Sequence, residues 1–190
     1  MIPFLLASLP TPRRGAPPSP TPLAFLETCR GFVTEGRLRD LSDLLGLPSP
    51  GHAFEGTASG APRGPGSSDP ATCGWWALEA QVDDAIVTAR VLRSGRSRAP
   101  SLRSAPGHRV DVVEAVTRAF AAPDPGARER ALVDLRWRLA DELAAAAPDG
   151  FAALAARAVQ VRLATRAASW DADAGWVRLQ AALDALEDVS

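Results

Sequence analysis

The sequence predicts an all-α protein: a multi-helix bundle of about six or seven helices with a short extended segment at its N-terminus. Three observations carry that expectation. Apolar residues recur at steps of three and four through most of the chain, as in Leu132, Leu135, Leu139 and Leu143, the period of a helix with one buried face. Proline, glycine and capping residues interrupt these runs at short intervals, as in Pro123-Asp124-Pro125-Gly126 and Pro148-Asp149-Gly150, where one helix stops and another starts. The 190 residues, 46% hydrophobic, suffice for one domain or two small lobes burying roughly 70% of the unfolded chain's surface.

The first ten residues read as an extended segment or edge strand over Phe4 to Leu9, broken by Pro3 and Pro10. They lack the basic opening of a signal peptide, and Arg13 and Arg14 follow the apolar run instead of preceding it. Six prolines between Pro10 and Pro22 fix φ and remove donors, which makes a stiff connector; Pro17 and Pro20 also have PxxP spacing. Thr21 caps a helix with Pro22 at its first position, and Gly31 ends it. Thr34 caps the next, whose Leu38, Leu41, Leu44 and Leu45 share a face before Gly46 and Pro48. Residues 47–73, dense in proline and glycine, bury too little to offset their entropy and form a loop. The organisation expected is therefore 1–46 (extended segment, linker and helical hairpin), 47–73 (loop) and 74–190 (main bundle).

From Gly74 to Ser94 a long amphipathic helix carries Trp75, Leu78, Val82, Ile86, Ala89 and Arg93 on one face and Glu79, Asp83 and Arg90 on a neighbouring stripe. A basic loop follows, in which Arg90, Arg93, Arg96, Arg98, Arg103 and Arg109 occur with no acid between residues 90 and 109. Val110 to Ala121 is a shorter helix. Ala127 to Ala147 is the clearest helix, with Arg130, Asp134, Arg138 and Glu142 as an i, i+4 ladder of alternating sign. Phe151 to Trp170 and Asp171 to Val189 complete the set, and Trp137, Leu139, Trp170, Trp176 and Leu183 are expected to be buried together. Glu79 or Asp83 is expected to pair with Arg90 or Arg136, because these charges border apolar stripes on helices that pack against each other.

Little in the sequence points to catalysis. There is no Gly-rich phosphate loop, HExxH or GxSxG, and His52 and His108 lie beside glycines in loops. Cys29 and Cys73 match no metal-ligand spacing and read as thiols in a reducing compartment. No cofactor or metal is expected. The 21 basic residues, all Arg, against 22 acidic ones give a net charge of -1, so no overall field draws the chain to nucleic acid or acidic lipid. No window approaches the ~18 consecutive apolar residues of a membrane span. The six-Arg loop is compatible with phosphate contacts but has no interleaved aromatic for base stacking, and an acidic protein partner or a solvated loop fits it better. The residues themselves leave a helical protein- or nucleic-acid-interaction module open as a reading.

A family likeness adds to this. The order ASLPTP, TPLAFLETCRGFVTEGRLRDLSDLL, WWALEAQVDDAIVTARVLRSG, ARERALVDLRWRLADEL and FAALAARAVQVRLATRAASWDADAGWVRL resembles an uncharacterised bacterial family encoded within V/A-type ATPase operons. Members of that family are similar to the ATPase C subunit, called subunit d in eukaryotes, which joins the central stalk to the membrane rotor. The matching elements are Ser8-Leu9-Pro10; Glu79, Asp83 and Arg90 with Gly95; Arg128-Glu129-Arg130 with Leu135-Arg136-Trp137; and Trp170 followed by Asp171 and Gly175. The chain departs from the pattern in its aromatic-poor beginning, its low-complexity 47–73 segment and its length, shorter than a full C subunit. The resemblance implies a non-catalytic adaptor with stalk or rotor subunits as partners, a cytoplasmic location and only indirect contact with the membrane. It makes the basic loop from Arg93 to Arg109 a candidate partner contact.

Overall fold

An Ala-rich stretch, Phe151–Ala168, sits at the centre of the molecule because small and apolar residues cover most of its surface, Arg157, Gln160, Arg162, Thr165 and Arg166 being the polar exceptions. Ten of its residues are buried, among them Leu154, Ala155, Ala158, Val159 and Val161, and a helix so largely apolar is stable only inside a bundle. In the computed structural model, which describes residues 1–47, 69–95 and 107–170 together with Trp176, Val177 and Gln180, the described residues form seven helices and no strand. These are α1 (Ile2–Ser8), α2 (Pro22–Cys29), α3 (Glu35–Leu45), α4 (Pro70–Arg93), α5 (Val110–Ala121), α6 (Pro125–Ala146) and α7 (Phe151–Ala168). Helix α7 packs against α1, α2, α3, α4 and α6, while α5 bridges α4 and α6. One core cluster runs from Leu5 and Phe25 through Leu41, Trp75, Val82, Val116 and Leu139 to Leu163, so the regions 1–46 and 74–190 share an interior.

The local signals explain most boundaries. Thr21 Oγ1 accepts from Ala24 N–H and Thr34 Oγ1 from Arg37 N–H, at 3.3 and 3.4 Å, so both caps sit where the sequence puts them. Gly46 ends α3 with φ 72°, a left-handed conformation that favours glycine. Two boundaries lie earlier than expected. Asp69 Oδ1 accepts from Ala71 N–H at 3.0 Å and starts α4 at Pro70, inside the segment assigned to the 47–73 loop. Asp124 takes the N–H groups of Gly126 and Ala127 at 3.0 and 2.7 Å and starts α6 at Pro125. Proline at a first helical position needs no partner for the donor it lacks.

The extended character of the N-terminus is confined to the residues after α1. Ile2–Ser8 is helical, with Pro3 in its first turn and Leu5 fully buried. The expectation of an edge strand there is corrected by what caps the segment: Arg157 of α7 donates from Nη1 to the carbonyls of Leu6 at 2.6 Å and Leu9 at 3.1 Å. Those are the orphan acceptors of a helix C-terminus, and satisfying them makes two turns viable.

The expected tryptophan cluster divides. Trp137 and Leu139 are buried, whereas Trp170 is 40% and Trp176 65% exposed; Trp75, at 0%, is the tryptophan at the centre of the core. Leu183, and the expected helix from Asp171 to Val189 apart from Trp176, Val177 and Gln180, lie outside the described residues.

Candidate functional site

Charges meet where α4, α6 and α7 cross. Arg136 donates from Nε to Glu79 at 2.9 and 3.1 Å and from Nη2 to Asp83 at 3.4 Å. The side chains of Arg136 and Glu79 are only 12% and 14% exposed, so that contact stands largely outside water's screening, while Asp83, 38% exposed, keeps access to solvent. The expected pairing is thus made through Arg136. Arg90, the other expected partner, is exposed and has no ion pair among the described residues: about two turns past Asp83, it lies at the open outer end of the α4–α6 seam.

Two arginines that sequence reasoning passed over complete this junction. Arg162 of α7 lies over the Trp76 ring at 6.0 Å, and burial lowers its pKa while the nearby Glu79 carboxylate works the other way. Arg166, a turn further, donates to Glu129 at 2.5 Å. The signal that finds Arg157, Arg162 and Arg166 is their presence in a helix otherwise largely apolar, since a charge in such a helix needs an acceptor or an exit to solvent.

The i, i+4 ladder on α6 breaks up for a related reason. Only Arg138 and Glu142 pair within the helix, at 2.7 Å. Arg130 turns to Asp124 and Asp134 to Arg14, both at 3.3 Å, because partners outside the helix lie nearer than the ladder geometry allows for.

Of the candidate contact residues in the basic loop, Arg96, Arg98 and Arg103 lie outside the described residues. Arg109 is committed to the fold instead of being offered to a partner. Its guanidinium grips both oxygens of Asp111 at 3.0 and 2.7 Å and Glu142 at 2.6 Å, and its backbone N–H donates to Gln81 at 2.9 Å. Arg138 closes the network by donating to Asp111 at 3.0 Å. The Arg109 hydrogen bonds hold the Asp111 carboxyl down at about 2, with Arg138 adding to the effect, and Glu142 is also lowered. This staple joins the start of α5 to α6 and to the middle of α4.

Arg90 and Arg93 instead flank an open groove of about 440 Å³ that also includes Arg128, Phe120 and Leu132. It continues into a second depression of about 350 Å³ with which it shares Arg90, Glu129 and Leu132 and which reaches Asp83, Arg136 and Arg166. Arg128 stacks on Phe120 with its guanidinium carbon 4.9 Å from the ring centroid, and its Nε is buried without an acceptor. Among the described residues no three of His, Cys, Asp and Glu converge in a metal-binding arrangement, and no helix is long and apolar enough to cross a membrane. Arg90, Arg93 and Arg128 set positive charge around the groove, with Glu129 the acid among its lining residues. No family model, curated protein or solved structure matches the chain.

Proposed function

We propose that this protein is a non-catalytic adaptor of a V/A-type ATPase, similar to its C subunit and working between stalk and membrane rotor at the cytoplasmic side. The observation that carries the reading is that Leu9, Glu79, Asp83, Glu129 and Arg136, among the residues bearing the family likeness, hold the bundle's helices to one another. Ser8-Leu9-Pro10 follows the carbonyl of Leu6 and contains that of Leu9, both gripped by Arg157; Glu79 and Asp83 meet Arg136; Glu129 meets Arg166. A part that transmits torque needs helices cross-linked in this way, and it needs charged outer surfaces in place of a reaction pocket. Arg90, Arg93 and Arg128 on the outside of that junction, with the exposed Trp170 and Trp176, supply surface for a stalk or rotor subunit.

Affinity purification of the tagged full-length protein from its native host tests this. Catalytic, stalk or rotor subunits are expected to co-purify at low salt and to fall away as salt shortens the screening length from ~10 Å at 0.1 M to ~3 Å at 1 M. Charge reversal at Arg96 and Arg98 is expected to weaken the association most at low salt. Recovery of no ATPase subunit at any salt concentration, with nucleic acid bound or a substrate turned over by the purified protein, would overturn the reading.

A further inference from the structure

We infer that the groove between α4 and α6 receives an acidic amphipathic helix from a partner protein, whose carboxylates meet Arg90, Arg93 and Arg128 and whose apolar face rests on Phe120 and Leu132. The inference rests on the adaptor reading only for the source of that helix.

Charge bookkeeping within the fold singles out this place. At the neighbouring junction Arg136 and Arg166 each have a carboxylate, and Arg109 and Arg138 share two. Arg90, Arg93 and Arg128 line one groove, and none of them has an ion pair among the described residues. Glu129, the acid among the groove's lining residues, is engaged by Arg166, so the three guanidinium groups lack a carboxylate of their own, and carboxylates arriving from outside relieve their mutual repulsion. Arg128 is already immobilised on Phe120 at 4.9 Å with an unpartnered, buried Nε, so it loses little rotamer freedom when it takes an acceptor.

The surroundings decide what kind of anion fits. The partly exposed Phe120 gives the first depression an apolar edge above the 4%-exposed Leu132, and Ile86 and the 41%-exposed Val87 extend the apolar surface in the second. Bare phosphate chains gain nothing from such a surface, and the groove carries no row of aromatics for bases to stack on. Glu129 stands in the groove and Asp83 at its continuation, and both repel a uniformly negative polymer there. A helix with carboxylates grouped toward one end and apolar residues along one face meets all three conditions. From Asp83 to Ser94 the α4 wall rises about 16 Å, room for about three turns of such a helix.

The test titrates the full-length protein with a labelled synthetic helix of about 18 residues, leucines on one face and glutamates beside them, at low salt. A matched peptide with glutamine for glutamate and a single-stranded oligonucleotide serve as comparisons. Arg90 and Arg93 are both exposed, so Arg90→Glu/Arg93→Glu leaves the fold intact, as circular dichroism will verify. The acidic peptide is expected to bind, the glutamine peptide and oligonucleotide to bind at least about tenfold more weakly, and the double variant to lose about tenfold or more in affinity for the acidic peptide. Equal binding of the acidic peptide by both proteins overturns the inference, as does preference for the oligonucleotide. A photo-crosslinker replacing Val87 in the native host adds a second readout: a crosslink to an acidic helical segment of another protein supports the inference, and one to residues 171–190 or to a second copy of the chain overturns it. The two readings fail separately. If the ATPase co-purifies equally with wild type and double variant, the groove is not its contact and the adaptor reading stands; if no ATPase co-purifies but the peptide distinguishes the two proteins, the groove stands and the adaptor reading falls.

Discussion

Arg90 and Arg136 show how far a single residue's role is legible in its sequence context. Both sit beside apolar stripes near acids, yet one is sunk in the α4–α6–α7 junction and the other is exposed. Arg136→Ala leaves Glu79, 14% exposed, without its partner; thermal or urea unfolding is expected to register a loss of ~2–4 kcal/mol. Arg90→Ala removes no contact within the fold and should stay within ~0.5 kcal/mol of wild type. A large loss at Arg90 and none at Arg136 would reverse the two assignments. The periodicity of α4 placed Glu79 and Asp83 on one stripe, but whether a third charge on that stripe faces the seam depends on where the next helix ends. No repeat in the sequence records that. The same limit applies to Arg157, whose acceptors, Leu6 and Leu9, are about 150 positions away.

At the scale of the element, caps and stops were the most legible features because each is a local bargain between one side chain and one or two backbone groups. Thr21, Thr34 and Gly46 act where their identities suggest. Element length was less legible: α4 and α6 gain residues because Asp69 and Asp124 each accept backbone N–H groups ahead of a proline. Helix α1 was missed altogether, since two turns carry no readable period and its stabilising partner belongs to α7. The connection between α5 and its neighbours makes a prediction of its own. Asp111, held down at about 2 against an ordinary 3.8, adds stability that is fully present above about pH 4 and is lost as the pH falls toward 2; Glu142, also lowered, acts in the same sense from its ordinary 4.5 downward. Their side chains are 46% and 40% exposed, so screening keeps the total below ~1 kcal/mol. Arg109→Met is expected to flatten the decline of unfolding free energy between pH 4 and pH 2. An unchanged acid profile would mean that the carboxylates are equally depressed in the unfolded chain.

For the whole molecule, the all-α fold class was legible and the centre was not. The sequence distinguishes α6 by its charges, but α7 becomes the hub through what it lacks: alanines at 155, 156 and 158, at most 1% exposed, let neighbouring helices come close on several sides at once. Ala158→Leu, though it adds apolar surface, is therefore expected to destabilise by ~1–3 kcal/mol, read as a lowered urea midpoint, because no void waits to be filled. The candidate groove was likewise hidden, since Arg90, Arg93 and Arg128 come from two helices separated in sequence by α5. The central position of α7 also orders events during synthesis. Helices α1, α2 and α3 pack against a helix made roughly 100 residues after α3, which at ~5–20 residues per second is a delay on the order of 5–20 s. Until then Leu5, Phe25 and Leu41 lack the surface that buries them, so the emerging chain presents these apolar side chains of its first three helices to solvent. Whatever shields those three helices from self-association, a chaperone foremost, acts before the ribosome has released Ala168.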